Sequence, residues 1–232
     1  MRITGSVALV TGGNRGIGRA FARALVHHGA AKVYVGVRDP ASVPDADVVP
    51  VRLDVTDDES VAAAAAAAGD VAILINNAGV GGASTKLMEG AFDGARQAME
   101  VNYFGTWAVA RAFAPILARN GGGALVNMLS VASWVGQPQF PGYAASKAAQ
   151  WSLTDALRKA LRGQGTLVVG VHAGFVDTDL SAWTDAPKIS ADTVAELTMD
   201  ALIRDRFEVL ADEQSRSAKA ALSKPVGAPS AL

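Results

Sequence analysis

The chain has 232 residues, of which 50% are hydrophobic and 19% charged, a composition typical of a globular protein with a sizeable core. A formal net charge of −1 argues against nucleic acid or an anionic membrane as partner. The absence of cysteine excludes disulfides and thiol chemistry. Because the N-terminal sequence lacks a signal-peptide pattern and no apolar run is long enough to span a membrane, we expect a cytoplasmic protein.

Seven short apolar runs predict β-strands, and most of them are followed by a helical pattern. The predicted strands are Ser6–Thr11, Ala31–Arg38, Val48–Val55, Val71–Gly79, Gly123–Ser130, Thr166–Gly174 and Phe207–Ala211. The predicted helices are Ile17–His28, Ala62–Ala68, most of Lys86–Arg119, Tyr143–Leu161 and Ser190–Arg204, with Ala218–Leu232 as a frayed tail.

This alternation of strands and helices, with short connections, predicts the α/β class. We expect a single Rossmann-like doubly wound parallel sheet of about seven strands with helices on both faces. Residues 1–232 then form one dinucleotide-binding and catalytic domain, with a flexible C-terminal tail at about residues 222–232.

The turn after the first strand has the spacing TGxxxGxG, formed by Thr11, Gly12, Gly16 and Gly18. Glycine permits positive φ and lets backbone N–H groups approach a pyrophosphate at a helix N-terminus. A tight turn without a ligand is the alternative. The flanking strand and helix favour nucleotide binding.

Arg38 ends the second strand, where an NAD-specific site usually has an acidic residue for the ribose 2′-hydroxyl. An arginine suits a 2′-phosphate, and Arg15 in the glycine turn adds a second positive charge. Asp39 opposes this interpretation because it can pair with either arginine. The balance favours NADP(H) over NAD(H).

Other polar and glycine residues follow the predicted strands at their carboxyl ends, where ligands bind in doubly wound sheets. They include Asp54, the segment Asn76–Gly79, Ser130 and Gly174. Asp54 alone is equally consistent with a strand-end cap. Shortly after it, Thr56 and Glu59 predict a capping box for the second helix.

Tyr143 and Lys147 lie four residues apart, so on a helix they share one face. A fixed positive charge favours the phenolate and so lowers a tyrosine pKa from its usual value of about 10. Such a pair often marks only a solvated helix face. Asn102 has apolar neighbours and must find hydrogen-bond partners if it is buried.

Together these motifs resemble the short-chain dehydrogenase/reductase family in its single-domain form, over about Ser6 to Asp212. TGGNRGIG resembles the cofactor loop of that family, Asp54-Val55 its adenine contact and NNAG (Asn76–Gly79) its fourth-strand motif. Asn102, Ser130, Tyr143 and Lys147 match the family's catalytic residues. The resemblance implies a nicotinamide cofactor, and Ala173 departs from it by replacing the usual proline before Gly174.

The resemblance implies that Tyr143 exchanges a proton with the substrate oxygen while Lys147 lowers the tyrosine pKa and binds the nicotinamide ribose. Ser130 is expected to stabilise the oxyanion, and Asn102 to hold a water that relays protons. We prefer Ser130 to Ser133 because Ser130 ends the strand. The expected cofactor-binding residues are Gly12, Asn14, Arg15, Gly16, Ile17, Gly18, Arg38, Asp54, Val55, Asn77, Ala78, Gly79, Tyr143, Lys147, Gly174, Val176 and Thr178.

Two segments, Val131–Phe140 and Phe175–Trp183, are expected to bind the substrate. Neither contains lysine or arginine, so an apolar ketone or aldehyde is favoured over an anion. Ordinary core or interface packing is the alternative for their aromatic residues. The expected substrate residues are Ser130, Trp134, Phe140, Tyr143, Phe175, Leu180 and Trp183.

The predicted function is therefore an NADP(H)-dependent carbonyl reductase or alcohol dehydrogenase acting on a small molecule. A regulatory protein that binds NADP(H) without turnover is the alternative. His27, His28 and His172 suggest no metal site. The helices that carry Trp107, Phe113 and Trp151 are expected, from the resemblance, to pack against a twin subunit in a homodimer or homotetramer.

Overall fold

The structure is a computed structural model that describes residues 1–81 and 87–225. Seven parallel strands form one sheet in the order β3-β2-β1-β4-β5-β6-β7. The strands are β1 (Val7–Thr11), β2 (Lys32–Val37), β3 (Val49–Arg52), β4 (Ile73–Asn76), β5 (Ala124–Met128), β6 (Leu167–His172) and β7 (Glu208–Leu210). The predicted doubly wound parallel sheet is confirmed.

Helices connect the strands and cover both faces of the sheet. They are α1 (Gly16–His27), α2 (Asp58–Ala67), α3 (Asp93–Ala98), α4 (Thr106–Arg119), α5 (Pro141–Ala160), α6 (Ala191–Ile203) and α7 (Glu213–Ala221). A π-helical turn, Met99–Gly105, joins α3 to α4. Short 3₁₀ turns occur at Pro40–Ser42, Val131–Ser133, Arg162–Gln164 and Asp179–Ser181.

Two apolar layers stabilise the sheet, and β1 contributes to both because strand side chains alternate between faces. Ala8 and Val10 pack in the layer that contains the α1 residue Phe21. Leu9 packs in the opposite layer with the α4 residue Phe113. Both faces of β1 are therefore buried, which explains its continuous apolar sequence.

Several predicted boundaries are wrong by a few residues, and the predicted cap of the second helix is wrong for a clear physical reason. Asp57, not Thr56, caps α2, because its carboxylate accepts from the N–H groups of Glu59 and Ser60. The helical conformation predicted around Asn102 takes the form of a π-helical turn. The predicted frayed tail is wrong at its start, because helix α7 continues through Ala218–Ala221.

Helix α7 has a capping box that the sequence reading missed, formed by Asp212 and Ser215. Two predictions fall partly outside the described residues. Lys86, the predicted start of the helix before Arg119, lies outside them, as do residues 226–232 of the predicted tail. Within the described residues, no helix is long and apolar enough to cross a membrane.

Candidate active site

Hydrogen bonds of the Thr11 and Asn77 side chains join the carboxyl ends of β1 and β4. The Thr11 hydroxyl accepts from the backbone N–H groups of Asn77 and Ala78, at 3.0 and 2.9 Å. The Asn77 side chain donates to the carbonyls of Thr11 and Gly12, at 3.1 and 3.2 Å. The predicted glycine turn and the NNAG segment therefore form one hydrogen-bonded unit.

At its glycine positions, the turn leaves little room for a side chain. Gly12 has φ = +66°, a left-handed conformation that glycine adopts without strain. A Cβ on Gly18 would overlap the carbonyl oxygen of Gly12. A Cβ on Gly16 would lie 3.2 Å from Cγ2 of Thr178, which brings the loop after β6 against this turn.

The N-terminus of α1 is arranged to accept an anion. Arg15, its N-cap, provides no side-chain hydrogen bond, and the first turn contains no acidic residue. Other helices are capped by their own side chains, as α2 is by Asp57 and α6 by Ser190. The first N–H groups of α1 thus have neither a capping side chain nor an acidic neighbour, so the turn fits the pyrophosphate of a dinucleotide.

The residues expected around the adenosine end lie at the carboxyl ends of β2 and β3. Arg38 is exposed directly after β2. Asp54 accepts from both the backbone N–H and the hydroxyl of Thr56, and these hydrogen bonds, with a smaller effect of the Arg38 charge, lower its pKa. Asp54 is therefore ionised at neutral pH, and its carboxylate organises the turn before α2.

Asp39 pairs with neither Arg15 nor Arg38, so it does not neutralise either charge. Its carboxylate accepts from the backbone N–H of Ala41 at 3.0 Å and caps the 3₁₀ turn. Arg15 instead pairs with Asp179 at 3.2 Å, and both side chains are largely exposed. Ion pairs this exposed contribute little to stability, so Arg15 is available to a competing anion.

The remaining expected cofactor residues lie around the same edge of the sheet. Asn14 donates to the hydroxyl of Ser42 at 3.1 Å. Ile17 packs against the hydrophobic core, and Val55 is buried in the segment after β3. Beyond β6, the N–H of Gly174 donates to the Asp212 carboxylate at 2.7 Å. Asp212 thus holds the loop in which Ala173 replaces the usual proline, and the buried Val176 continues it.

The four expected catalytic residues come together from three elements. Ser130 follows β5, Tyr143 and Lys147 lie on α5, and Asn102 lies in the π-helical turn. Ser130 caps the next 3₁₀ turn, since its Oγ accepts from the N–H of Ala132 at 3.1 Å. Ser133 only completes that capping box, which is consistent with our preference for Ser130.

Ser130 and Tyr143 are close enough for their side chains to interact. Burial raises the pKa of Tyr143, and the Ser130 side chain acts in the opposite direction. The expected lowering of this pKa by Lys147 is not found here. Burial lowers the pKa of Lys147 itself to about 7, and its Nζ lies 5.9 Å from the centre of the Tyr143 ring.

Asn102 is completely buried, and its side chain is fully engaged. Its Oδ1 accepts from the N–H of Val80 at 2.9 Å, while Nδ2 donates to Val80 O and to the hydroxyl of Ser146, both at 2.9 Å. The asparagine thus braces the loop after β4. Its backbone carbonyl accepts from the Thr106 hydroxyl at 2.8 Å.

Sequence reasoning missed two side chains next to these residues. Lys147 donates to the carbonyl of Met128 and to the side chain of Gln150, each at 2.8 Å. Gln150 in turn donates to the Thr106 hydroxyl at 2.9 Å. Positions 143, 147 and 150 make a polar stripe at helical spacing, a signal that was available in the sequence.

The substrate segments are brought together by Trp183. Its ring centre lies 5.0 Å from that of Phe140 and 5.7 Å from that of Phe175, so one aromatic cluster links the two segments. Leu180 is largely exposed and approaches Gly81, where a Cβ would lie 3.2 Å from its Cδ1.

Trp134 lies apart from that cluster. It stacks on His172 with ring centres 3.8 Å apart and lines a groove of about 510 Å³ that also includes Ala144 and Ala148 of α5. His172 is buried, and this burial lowers its pKa to about 3, so it is neutral and its Nδ1 donates to the Ser130 carbonyl at 3.2 Å. The stack therefore supports the loop that carries Ser130, and contact of Trp134 with substrate stays a prediction.

Comparison with known proteins agrees with this fold and site. The short chain dehydrogenase family model matches residues 6–188, and the chain belongs to that family. It is 34% identical over 93% of its length to 1-deoxy-11-beta-hydroxypentalenate dehydrogenase of Streptomyces exfoliatus, of which 86% is covered.

Solved structures are also similar. A short chain dehydrogenase from Burkholderia cenocepacia in complex with NADP has a TM-score of 0.92 and 39% identity, with 96% of this chain and 94% of that one covered. A short chain dehydrogenase/reductase from Burkholderia phymatum in complex with NAD has a TM-score of 0.86 and 29% identity, with both chains fully covered. The family is thus established, while the two cofactors differ between these neighbours.

The glycine turn leads to a testable prediction. Gly18→Ala places a methyl group against the Gly12 carbonyl, which is backbone and cannot move aside cheaply. We expect the free energy of unfolding to fall by about 1–3 kcal/mol, measured by denaturant titration. Gly163→Ala is the matched control, because a Cβ there meets no atom within 4 Å. Equal stability of the two variants would contradict the close packing of this turn.

Proposed function

We propose that the protein is an NADP(H)-dependent oxidoreductase that interconverts a ketone or aldehyde and an alcohol, with Tyr143 as general acid and base. The observation that carries the proposal is the assembly of Ser130, Tyr143 and Lys147 beside the glycine turn. A protein that only senses the cofactor has no need of a half-buried tyrosine placed between a serine and a buried lysine.

NADP(H), when bound, supplies or accepts the hydride. The glycine turn and the N-terminus of α1 hold its pyrophosphate through backbone N–H groups, and Lys147 has one N–H remaining for a ribose hydroxyl. Asp54 and Val55 lie where the adenine is expected. Gly174, Val176 and Thr178 line the loop at the nicotinamide end.

Tyr143 donates its hydroxyl proton to the carbonyl oxygen in reduction and takes it back from the alcohol in oxidation. The Ser130 hydroxyl donates to the same oxygen as negative charge develops, a stabilisation that can be worth about 3 kcal/mol. Asn102 is proposed to hold, through its backbone carbonyl, a water that replenishes the proton.

The substrate is proposed to be an apolar cyclic or aromatic carbonyl compound. The cluster of Phe140, Phe175 and Trp183 presents apolar surface without a cationic side chain. The similarity to a dehydrogenase named for a hydroxypentalenate is consistent with a bulky secondary alcohol, although the carboxylate of that compound has no cationic partner in these segments.

Tyr143→Phe tests the chemistry. The change removes the proton donor and keeps the ring, so we expect kcat for ketone reduction with NADPH to fall by about 10²- to 10⁴-fold while NADPH affinity is retained. Turnover is followed by NADPH absorbance and binding by calorimetry. Tyr34→Phe is the control, because its hydroxyl bonds Lys32 on β2, far from the site.

Undiminished turnover by Tyr143→Phe would exclude the proposed mechanism. If the unaltered protein binds NADPH but turns over no carbonyl or alcohol in a broad panel, the regulatory alternative takes precedence.

NADP(H) is proposed over NAD(H) because Arg38 is exposed after β2 and Arg15 faces only a weak ion pair. Arg38→Asp should weaken NADPH binding by about 10- to 100-fold, since a charge-assisted contact with the 2′-phosphate is lost, and should leave NADH binding nearly unchanged. Calorimetric titration with both cofactors measures this. Arg2→Asp, exposed near the N-terminus, controls for net charge, and equal loss of both cofactors would exclude a 2′-phosphate contact.

A homodimer or homotetramer is proposed from an aromatic surface formed by the exposed Phe104 and Trp107, both of which contact the half-buried Tyr103, with Trp151 on α5 also exposed. Trp107 is 45% exposed, whereas Phe113 on the same helix is completely buried and packs in the core. Such apolar patches commonly mark interfaces.

Trp107→Glu should therefore reduce the molar mass measured by light scattering, because it places a charge in that interface. Ile203→Glu at the end of α6 is the control, since this half-exposed residue lies away from the patch. Only monomer in the unaltered protein would overturn the proposed assembly.

A further inference from the structure

The ammonium of Lys147 is held by the protein in a defined direction. Only 4% of the residue is exposed, and within the described residues its hydrogen-bond acceptors are the Met128 carbonyl and the Gln150 amide oxygen, each at 2.8 Å. An ammonium has three N–H groups, so one remains for a ligand. Gly79 borders it, since a Cβ there would lie 3.8 Å from Nζ.

Gln150 is itself fixed in one orientation. It is completely buried, and its Nε2 donates to the Thr106 hydroxyl at 2.9 Å. Thr106 donates onward to the backbone carbonyl of Asn102 at 2.8 Å. A rotated amide would turn its NH₂ group towards the Lys147 ammonium, which has no acceptor, so only the observed orientation satisfies both partners.

The hydrogen bonds run in one direction, from Lys147 through Gln150 and Thr106 to Asn102. Each donor in such a chain strengthens the next bond. The chain ends at a peptide carbonyl, which has no proton to release, and passes through an amide, which exchanges protons poorly. It is therefore suited to orienting and stabilising a charge and not to conducting protons.

The simplest alternative is that Gln150 is a buried polar residue whose hydrogen bonds merely satisfy it. Its position argues for more, because the Lys147 ammonium is deep enough for burial to lower its pKa to about 7. Hydrogen bonds to the charged form oppose such a shift. Met128 contributes only its backbone carbonyl, which any residue at that position would supply. Gln150 is therefore the acceptor that a substitution can remove.

We propose that Gln150 is a positioning residue for the reaction, which acts by directing the Lys147 ammonium and keeping it charged beside Tyr143. This inference rests on the proposed function, because Gln150 acts only through Lys147. The inference also makes Gln150 a determinant of the pH above which activity declines. The charged lysine favours the phenolate that forms during proton transfer, so activity declines as pH rises and Lys147 loses its proton.

Two other titratable side chains of the described residues lie near the ammonium. Tyr143 is on the same helix, and burial keeps its pKa above the usual tyrosine value. Burial lowers the pKa of His172, on β6, to about 3, and the charge of Lys147 contributes to this lowering. Neither changes protonation near neutrality in the free protein, so a pH limit there is assigned to Lys147.

The test uses two substitutions of similar size that act in opposite directions. Gln150→Leu removes the acceptor, which disfavours the charged lysine, and should move the alkaline limb of kcat/KM to lower pH. Gln150→Glu adds a negative charge and should move the limb to higher pH. We expect shifts of about one pH unit each. Shifts in the same direction, or no shift in either variant, would overturn the proposal.

Thr154→Val is the matched control for loss of a buried hydrogen bond. Its hydroxyl lies on the same helix and donates to the backbone carbonyl of Gln150 at 2.7 Å, without contact to Lys147. This variant should lose stability and keep the pH limit of the unaltered protein. The conservative Gln150→Glu variant keeps the test valid if Gln150→Leu fails to fold.

A direct titration of Lys147 separates this inference from the proposed function. In protein with ¹³C-labelled lysine, the Lys147 signal is assigned by its loss in Lys147→Met and followed against pH by NMR. Opposite shifts in the two Gln150 variants support the positioning role even if no carbonyl substrate is turned over. Unchanged titration with normal turnover would overturn the positioning role and leave the oxidoreductase function standing.

Discussion

Parallel pairing of the seven strands is the constraint on which the rest of the structure depends. It places every strand's carboxyl end at one edge of the sheet, so residues far apart in sequence meet there. Thr11 and Asn77 close the edge between β1 and β4, while Asp212 holds the loop after β6. The glycine turn and the catalytic residues share a site because this edge is common to them.

Burying polar groups beneath this edge costs free energy because they lose their hydrogen bonds to water. Hydrogen bonds within the protein replace those lost bonds. Asn102, Gln150 and Thr106 are buried, and each has partners on neighbouring elements. Lys147 is the extreme case, because burial brings its pKa close to neutrality. A group poised in this way responds to small changes in its surroundings, which is a common property of functional sites.

The sequence predicted all seven strands in order, since apolar β-branched runs between glycine turns are strong signals. It also predicted the order of the helices, except for α7, whose short polar sequence resembles a tail. Boundaries were less accurate because the caps depend on local side-chain competition. Thr56 and Asp57 are both good caps, and only the structure places Thr56 on Asp54 and leaves Asp57 to cap α2.

By itself, the sequence determined the α/β class, the glycine turn and the spacing of Tyr143 and Lys147, because each depends on local conformation or helical period. Tertiary structure alone decided the partners of the side chains. It placed Trp134 on His172, Phe113 in the core and Gln150 on Lys147. Such contacts depend on how separate elements pack and on which rotamers their packing leaves open, and no local sequence pattern encodes that outcome.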